Sequence, residues 1–248
     1  MKNYMDLVCQ TRIGCLFGLA ITAWLTNTAL AWADVQFLPT PPDQGAPTGR
    51  QRGGATRGNC LAYQDLTALV PEIEGIVWSQ TASATPHFFF YVPEALDNAI
   101  PLEFVVQDGS DNYIFQQQFS IDAPLGVLSI PIASNNPGLA LGETYTWTLA
   151  IYCDAARPSA SVSVSGTVKR VANTAAEASA ETDPGVQLDQ IQQYAAAGIW
   201  HEALMLAIAL QQSEPDNANY QQTLESLLAQ AGLTDIPPSI PLFVHSDH

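Results

Sequence analysis

The stretch Tyr145-Thr146-Trp147-Thr148-Leu149-Ala150-Ile151-Tyr152-Cys153 alternates large apolar residues with smaller or more polar ones. Successive side chains of a β-strand point to opposite faces, so this stretch predicts a strand that sends Trp147, Leu149 and Ile151 to one side. Five nearby runs are also predicted strands: 87–92, 102–106, 112–120, 127–132 and 160–168. About six or seven short strands in roughly one hundred residues are typical of an immunoglobulin/fibronectin-like β-sandwich.

The turn Asp108-Gly109-Ser110-Asp111 precedes one of these strands. Asp-Gly is a preferred hairpin pair, so the turn predicts a hairpin into residues 112–120 with Tyr113, Phe115 and Phe119 facing inward. The same oxygens suit calcium, but the later Glu of an EF-hand loop is absent. A hairpin turn is the simpler interpretation and calcium is the alternative.

The segment from Leu139 to Tyr145 resembles a motif of fibronectin-like domains, which place a Leu six residues before a tyrosine-corner Tyr. The Pro that usually lies between them is absent. Tyr145 is therefore the candidate corner residue of a general β-sandwich, which we place at residues 60–171.

The hydrophobic period becomes helical after a linker of small and polar residues at 172–185. Helices are predicted at 186–196, 199–212 and 218–231, within a helical hairpin at 186–232. The stretch Ala197-Gly198-Ile199-Trp200 resembles the second half of a tetratricopeptide (TPR) repeat. Because one repeat cannot form a solenoid, we expect a small TPR-like hairpin that caps the sandwich, followed by a flexible tail at 233–248.

Residues 1–33 have the order of a secretory signal peptide: basic residues, an apolar run and Ala31-Trp32-Ala33 before Asp34. An uncleaved membrane anchor is the alternative, but the apolar run is short for a bilayer. The sequence thus predicts a periplasmic or extracellular protein with no membrane span after cleavage.

The chain that remains after cleavage carries 23 acidic and 6 basic residues, a formal charge of −17. Binding to nucleic acid phosphates needs a basic face, so nucleic acid is excluded as a partner. Cys60 and Cys153 both lie in this part, and a disulfide is their simplest use in an oxidising compartment. A metal pair is the alternative, although the usual C-x-x-C spacing is missing.

Residues 34–59 are rich in Pro, Gly and Gln and poor in large apolar residues. Such a segment buries little surface, so we expect it to be extended or disordered up to Cys60. Arg50, Arg52 and Arg57 lie within it and are the candidate partner-binding residues. They would dock an anionic partner, fold back onto the acidic surface of the chain, or serve only as solubilising charges.

Candidate catalytic and metal-binding residues do not form a recognisable set in the sequence. His87 is expected at the rim of the sheet and His201 on the solvent side of a helix, while His245 and His248 lie in the tail. No pair has convincing ligand spacing, and no G-x-S-x-G motif is present. We therefore predict a protein that is not an enzyme and that has no cofactor and no metal.

An ordered set of short motifs resembles a family of exported cyanobacterial proteins known as domain of unknown function 928, over about residues 50–235. The motifs are Thr56-Arg57-Gly58-Asn59-Cys60, Leu69-Val70-Pro71, Phe90-Tyr91-Val92-Pro93, Phe104-Val105-Val106-Gln107-Asp108, Tyr145-Thr146-Trp147, Cys153-Asp154, Arg157-Pro158-Ser159-Ala160 and Ala197-Gly198-Ile199-Trp200. The resemblance implies an exported protein with Cys60 and Cys153 paired, a β domain and a short helical part. It carries over no activity, cofactor or catalytic residue.

The leading hypothesis is an exported, non-enzymatic binding or scaffolding module whose partner is another envelope or secreted protein. The alternative is a glycan-binding or glycan-cleaving β-sandwich that uses an exposed Trp78, Tyr152 or a carboxylate pair. The bland interpretation of Trp78 and Tyr152 is that they belong to the core. A structural role in a surface layer is a third hypothesis.

Overall fold

Two β-sheets face each other in the computed structural model, which describes residues 35–43, 45–54, 59–133, 137–154, 157, 159–174, 183–237 and 241–245. These residues contain ten strands: β1 Thr67–Ala68, β2 Glu72–Ile73, β3 Ile76–Thr81, β4 His87–Val92, β5 Leu102–Gln107, β6 Tyr113–Phe119, β7 Gly126–Pro131, β8 Thr144–Tyr152, β9 Ser161–Arg170 and β10 Leu242–Val244. They also contain three helices: α1 Pro184–Ala196, α2 Trp200–Ser213 and α3 Ala218–Gln230. The predicted signal peptide, residues 1–33, lies outside the described residues.

The strand order is β1-β4-β7-β10 in one sheet and β2-β3-β9-β8-β5-β6 in the other. Neighbours run antiparallel except β3 with β9 and β7 with β10. The main core lies between the sheets, where Phe88 and Phe90 of β4 contact Phe104 of β5 and Trp147 of β8. The predicted β-sandwich with a small helical part is confirmed.

Tyr145 forms the predicted corner. Its hydroxyl oxygen accepts a hydrogen bond of 2.8 Å from the backbone N–H of Ala140, and the neighbouring Leu139 is buried. The bond ties the loop before β8 to the start of that strand. This is the structural role of a tyrosine corner in a β-sandwich.

The inward position predicted for Tyr113 is wrong, since this side chain is 61% exposed. Val106 pairs with Phe115, whereas the next residue, Gln107, pairs with Tyr113, so Ile114 is an extra residue in β6. Because a one-residue bulge interrupts the alternation of side chains, the residues before and after it no longer share the expected face. Tyr113 therefore does not share the buried face of Phe115. Phe115 keeps its buried position.

The three helices lie against the outer face of the four-stranded sheet. A second buried cluster joins Leu69, Phe89 and Val127 of the sandwich to the helices. Trp200, fully buried at the start of α2, donates its indole N–H to the carbonyl of Leu69 at 2.8 Å. The helical layer, residues 183–237, is thus anchored to the sandwich by apolar contacts and by this hydrogen bond. Among the described residues, none of the helices has the length and apolar character needed to cross a lipid bilayer.

The expectation of disorder at residues 34–59 does not match the described part of this segment, although it is extended. Val35 and Phe37 are 4% and 6% exposed and belong to the core of the helical layer. Arg50 and Arg52 form isolated backbone bridges to Ser165 and Thr67. The two apolar side chains and the backbone bridges hold the segment well before Cys60.

The flexible tail expected at 233–248 is also corrected for its described residues. Leu233 and Ile236 are buried, and β10 pairs in parallel with β7. The ring of His245 stacks on Phe119 with centroids 3.8 Å apart. The chain therefore returns to the sandwich after α3.

Candidate functional site

A short N-terminal segment, residues 35–38, lies in a groove of the helical layer. We call this segment the strap, and we define the groove by Ala195, Gly198, Trp200, Ser226 and Gln230, which contact it or lie directly beneath it. These residues come from the end of α1, the turn between α1 and α2, the start of α2 and the second half of α3. The groove is the place where the structure holds an extended peptide.

Gln230 forms hydrogen bonds with backbone atoms of the strap. Its Oε1 accepts from the N–H of Phe37 at 2.7 Å, and its Nε2 donates to the carbonyl of Val35 at 2.6 Å. The N–H of Leu38 donates to the carbonyl of Ala195 at 3.0 Å. Bonds to backbone atoms carry little sequence information, so the groove can hold any extended segment in this way.

Alternate side chains of the strap provide its apolar contacts. The rings of Phe37 and Trp200 meet edge-on with centroids 5.0 Å apart, and Val35 is buried in the same cluster. Gln36 and Leu38 point outward, and Leu38 is 49% exposed. Burying a side chain of the size of Phe37 contributes about 1.5–3 kcal/mol. The groove therefore selects apolar residues two positions apart.

Gly198 gives the strap room to approach. Its φ is +73°, and a Cβ there would lie 2.8 Å from the carbonyl oxygen of Leu38. A side chain at this position would be strained and would also collide with the strap. The motif Ala197-Gly198-Ile199-Trp200, which suggested a TPR-like turn, forms one wall of the groove.

The segment that follows the strap makes ion pairs with the rest of the chain. Asp43 accepts from Lys169 at 2.9 Å and from Thr144 at 2.8 Å, and the hydrogen bond from Lys169 holds the pKa of Asp43 below its usual value. Arg52 donates to both carboxylate oxygens of Asp235 at 2.7 and 2.6 Å, and this bond lowers the pKa of Asp235. These pairs join the N-terminal segment to β9 and to the end of the helical layer.

The three candidate partner-binding arginines are in different situations. Arg52 faces the chain's own Asp235, so the alternative in which the run folds back onto the acidic surface describes this residue. Arg50 is exposed and pairs through its backbone with Ser165. Arg57 lies outside the described residues. Arg50 and Arg52, the two of these arginines that lie in the described residues, thus have different surroundings.

Cys60 and Cys153 form the predicted disulfide, with Cα atoms 5.4 Å apart and a sequence separation of 93. The bond joins the segment before β1 to the end of β8. The metal-pair alternative for these two cysteines is therefore overturned.

The prediction that His201 faces solvent is wrong. It is 3% exposed; its Nε2 lies 2.9 Å from the hydroxyl of Ser79, and its Nδ1 lies 2.9 Å from the carbonyl of His87. Because a carbonyl only accepts, Nδ1 carries the proton. In the neutral ring Nε2 then accepts from the hydroxyl of Ser79, which lies closer to it than to the carbonyl of Thr167 at 3.4 Å. Burial lowers the pKa of His201, which favours this neutral form.

Glu202, the next residue of α2, binds the loop after β3. Its Oε1 accepts from the hydroxyl of Thr81 at 2.7 Å and from the N–H groups of Ala82 at 3.1 Å and Ser83 at 2.9 Å. Its Oε2 is buried and has no hydrogen-bond partner among the described residues. His201 and Glu202 together form a buried polar clasp between α2 and the edge of the six-stranded sheet.

The sequence agrees with the model of a protein family over residues 52–239, which include the disulfide, the sandwich and the three helices. That family is the Domain of Unknown Function DUF928. The chain belongs to the DUF928 family. No curated protein matches the chain, and no solved structure matches it. The strap precedes the matched region, whereas the helices that form the groove lie within it.

The calcium candidate in this DUF928 protein is a self-contained hairpin turn. Asp108 accepts from the backbone N–H groups of Ser110 and Asn112 and from the side-chain amide of Asn112. Those bonds, the Asn112 amide first, lower the pKa of Asp108. Within the described ranges, no group of three His, Cys, Asp or Glu residues is arranged to hold a metal ion. The Asp108 carboxylate thus stabilises the turn.

The two aromatic residues of the glycan alternative differ in position. Trp78 is 1% exposed, so the proposal that it is an exposed sugar platform is wrong. Tyr152 is partly exposed and donates to Glu103 at 2.5 Å, which raises the pKa of Tyr152 to about 12. Only Tyr152 of this pair is available at the surface.

Proposed function

We propose that this DUF928 protein is an exported, non-enzymatic binding or scaffolding module of the cell envelope, and that its groove binds an extended segment of another envelope or secreted protein. The observation that carries the proposal is the pair of hydrogen bonds in which Gln230 donates to the carbonyl of Val35 and accepts from the N–H of Phe37. A neighbouring β-strand would satisfy the same two backbone groups, so the groove has the chemistry of a peptide receptor.

Export is supported by the signal-like residues 1–33 and by the disulfide, since disulfides persist in oxidising compartments. The periplasm and the extracellular space both meet this requirement. The cyanobacterial source that the motif resemblance implies belongs to the same proposal.

The non-enzymatic role is supported by the environment of Ser79 and His201, a pair with the residue types of a nucleophile and its base. Ser79 is 2% and His201 is 3% exposed, so a substrate has no access to either side chain in this conformation. The third group of the set is the backbone carbonyl of His87 where a triad has a carboxylate. The pair is better suited to holding α2 in place than to acyl transfer.

A direct test measures binding of a fluorescent peptide with the sequence of residues 34–41, Asp-Val-Gln-Phe-Leu-Pro-Thr-Pro, to the chain that begins at Asp34. The groove is vacated by the double change Val35→Ser and Phe37→Ala, with circular dichroism to check folding. We expect saturable binding to the vacated variant and much weaker binding to the unchanged chain, whose own strap competes. Absence of binding to a folded, vacated variant would refute a peptide-binding role.

A glycan-binding sandwich is the second candidate. The observation that favours it is the pair Tyr152 and Glu103, which lies on the face of the six-stranded sheet directed away from the sandwich core. A polysaccharide array probed with the unchanged chain and with Tyr152→Ala tests it. A signal that Tyr152→Ala removes would support this role, and a blank array would eliminate it.

A further inference from the structure

The helical layer is acidic without interruption. No Lys or Arg follows Arg170 in the sequence, while residues 183–237 contain seven acidic residues: Asp183, Asp189, Glu202, Glu214, Asp216, Glu225 and Asp235. The cation that this layer binds in the structure, Arg52, comes from the N-terminal segment and contacts Asp235. The layer therefore attracts basic groups supplied by another part of the chain or by another molecule.

Two open depressions flank the second half of α3, and Ala229 lines both. The first, of about 560 Å³, is lined by Val35, Ser226 and Gln230 and lies beside the first residues of the strap. The second, of about 380 Å³, is lined by Glu225 and Asp235. Glu225 directly precedes Ser226, whose hydroxyl donates to the carbonyl of Val35, so a segment in the groove has an exposed acidic side chain one residue along α3 from its first contact.

The strap itself sets the requirement for a partner. It is tethered to the groove it occupies, and a short tether gives an effective concentration on the order of millimolar. A partner with the same two apolar anchors and nothing more would seldom displace it. Displacement needs additional favourable contacts, and the exposed Glu225 beside the groove can supply them to a basic residue.

Resting on the proposed peptide-binding function, we propose that the partner segment is basic: an extended peptide with apolar residues two positions apart and Lys or Arg next to them. The strap is then a resident competitor that such a segment displaces. The apolar anchors fill the positions of Val35 and Phe37, Gln230 binds the backbone, and the basic residues lie against Glu225 and the end of α3.

Three labelled peptides with the core Val-Gln-Phe-Leu test this, flanked on both sides by Lys, Ser or Glu. Each is titrated into the unchanged chain from Asp34 and into the variant vacated by Val35→Ser and Phe37→Ala, at low and high salt. We expect the Lys-flanked peptide to bind the vacated variant several-fold more tightly than the Glu-flanked one, as an exposed ion pair with Glu225 in place of a like-charge contact would give. The difference should shrink as salt screens the charges.

Matched acidic variants locate the effect. Glu225→Gln should weaken the Lys-flanked peptide several-fold, whereas Glu214→Gln, an exposed change at the far end of α2, should not. Equal affinities for the Lys and Glu peptides would overturn the basic partner. So would equal binding of a Lys-flanked peptide whose core is Ser, because that binding would not involve the groove.

The two levels of the proposal fail differently. If all three core peptides bind the vacated variant equally, the groove is a peptide site without a preference for basic partners. If none binds, the proposed function fails. Should the vacated variant not fold, displacement is measured on the unchanged chain through a fluorophore attached at Asp34, whose release by the Lys peptide alone is the expected result.

Discussion

The Nε2 atom of His201 lies 2.9 Å from the hydroxyl of Ser79, and this buried hydrogen bond joins α2 to β3. Together with Glu202 it places a polar clasp inside an otherwise apolar contact between helix and sheet. A buried polar network of this kind is costly when one member is lost, because the other members keep their desolvation cost. The stability of the helical layer should therefore depend on whether His201 is protonated.

The free energy of unfolding should decrease as the pH is lowered from about 7 to about 5. Burial lowers the pKa of His201 and of His87, so the unfolded chain takes up protons near pH 6.5 while the folded chain does not. The stability that the two neutral histidines contribute is complete above that pH and is lost as the pH falls below it. Urea unfolding at pH 8, 7, 6 and 5 should show this slope, and His201→Gln should reduce it. A free energy of unfolding that stays constant from pH 8 to pH 5 would contradict the prediction.

Reduction of the disulfide should destabilise the protein by about 2–4 kcal/mol, since the bond closes a long loop of the unfolded chain. The double variant Cys60→Ser and Cys153→Ser should show the same loss in denaturant unfolding. Adding reductant to this variant provides the control and should have no further effect.

Removing the hydroxyl of Tyr145 should cost about 0.5–1.5 kcal/mol, because the N–H of Ala140 loses its partner. The exposed Tyr113 provides a matched control for Tyr145→Phe. Thermal unfolding should separate the two variants by a few degrees. Equal melting temperatures would show that the corner bond adds nothing.

The strap should stabilise the helical layer through Phe37 and not through Leu38. Phe37→Ala should lower the free energy of unfolding by about 1–3 kcal/mol, whereas the exposed Leu38→Ala should change it by less than about 0.5 kcal/mol. Similar losses for both would mean that the segment does not occupy the groove.

Substitutions at two glycines with nearly equal backbone geometry distinguish the cost of backbone strain from the cost of a steric clash. Gly198 and Gly232 have φ of +73° and +76°, but only Gly198 has a neighbour within reach of a Cβ, the carbonyl of Leu38. Gly232→Ala should carry the cost of the left-handed backbone, about 1–2 kcal/mol. Gly198→Ala should add to this the displacement of the strap, measured as faster amide exchange at Phe37. Unchanged exchange at Phe37 would contradict this account of Gly198.

The sandwich was accessible from the sequence because its strands alternate clearly and Tyr145 has a motif around it. The position of Tyr113 was not, since a bulge at Ile114 depends on how β5 and β6 pair. The burial of His201 was missed because its bonds come from residues more than one hundred positions away.

The groove was only partly visible in the sequence. Ala197-Gly198-Ile199-Trp200 marked one wall, but Gln230 is one of several glutamines in the helices and nothing in the pattern distinguishes it. Val35 and Phe37 lie in a Pro-rich segment whose average composition suggested disorder. Their spacing of two, directly after the predicted cleavage site, was the available signal. A segment with two anchors is ordered by a groove that another part of the chain provides.

Photo-crosslinking tests most directly whether a partner peptide binds in the groove. The peptide Asp-Val-Gln-Phe-Leu-Pro-Thr-Pro, with benzoylphenylalanine in place of Phe, is irradiated with the variant vacated by Val35→Ser and Phe37→Ala, and the modified residues are identified by mass spectrometry. We expect crosslinks at Trp200 and at the neighbouring turns of α1 and α3, which excess unlabelled peptide should suppress. Crosslinks spread over the sandwich, or none that unlabelled peptide suppresses, would contradict binding in the groove.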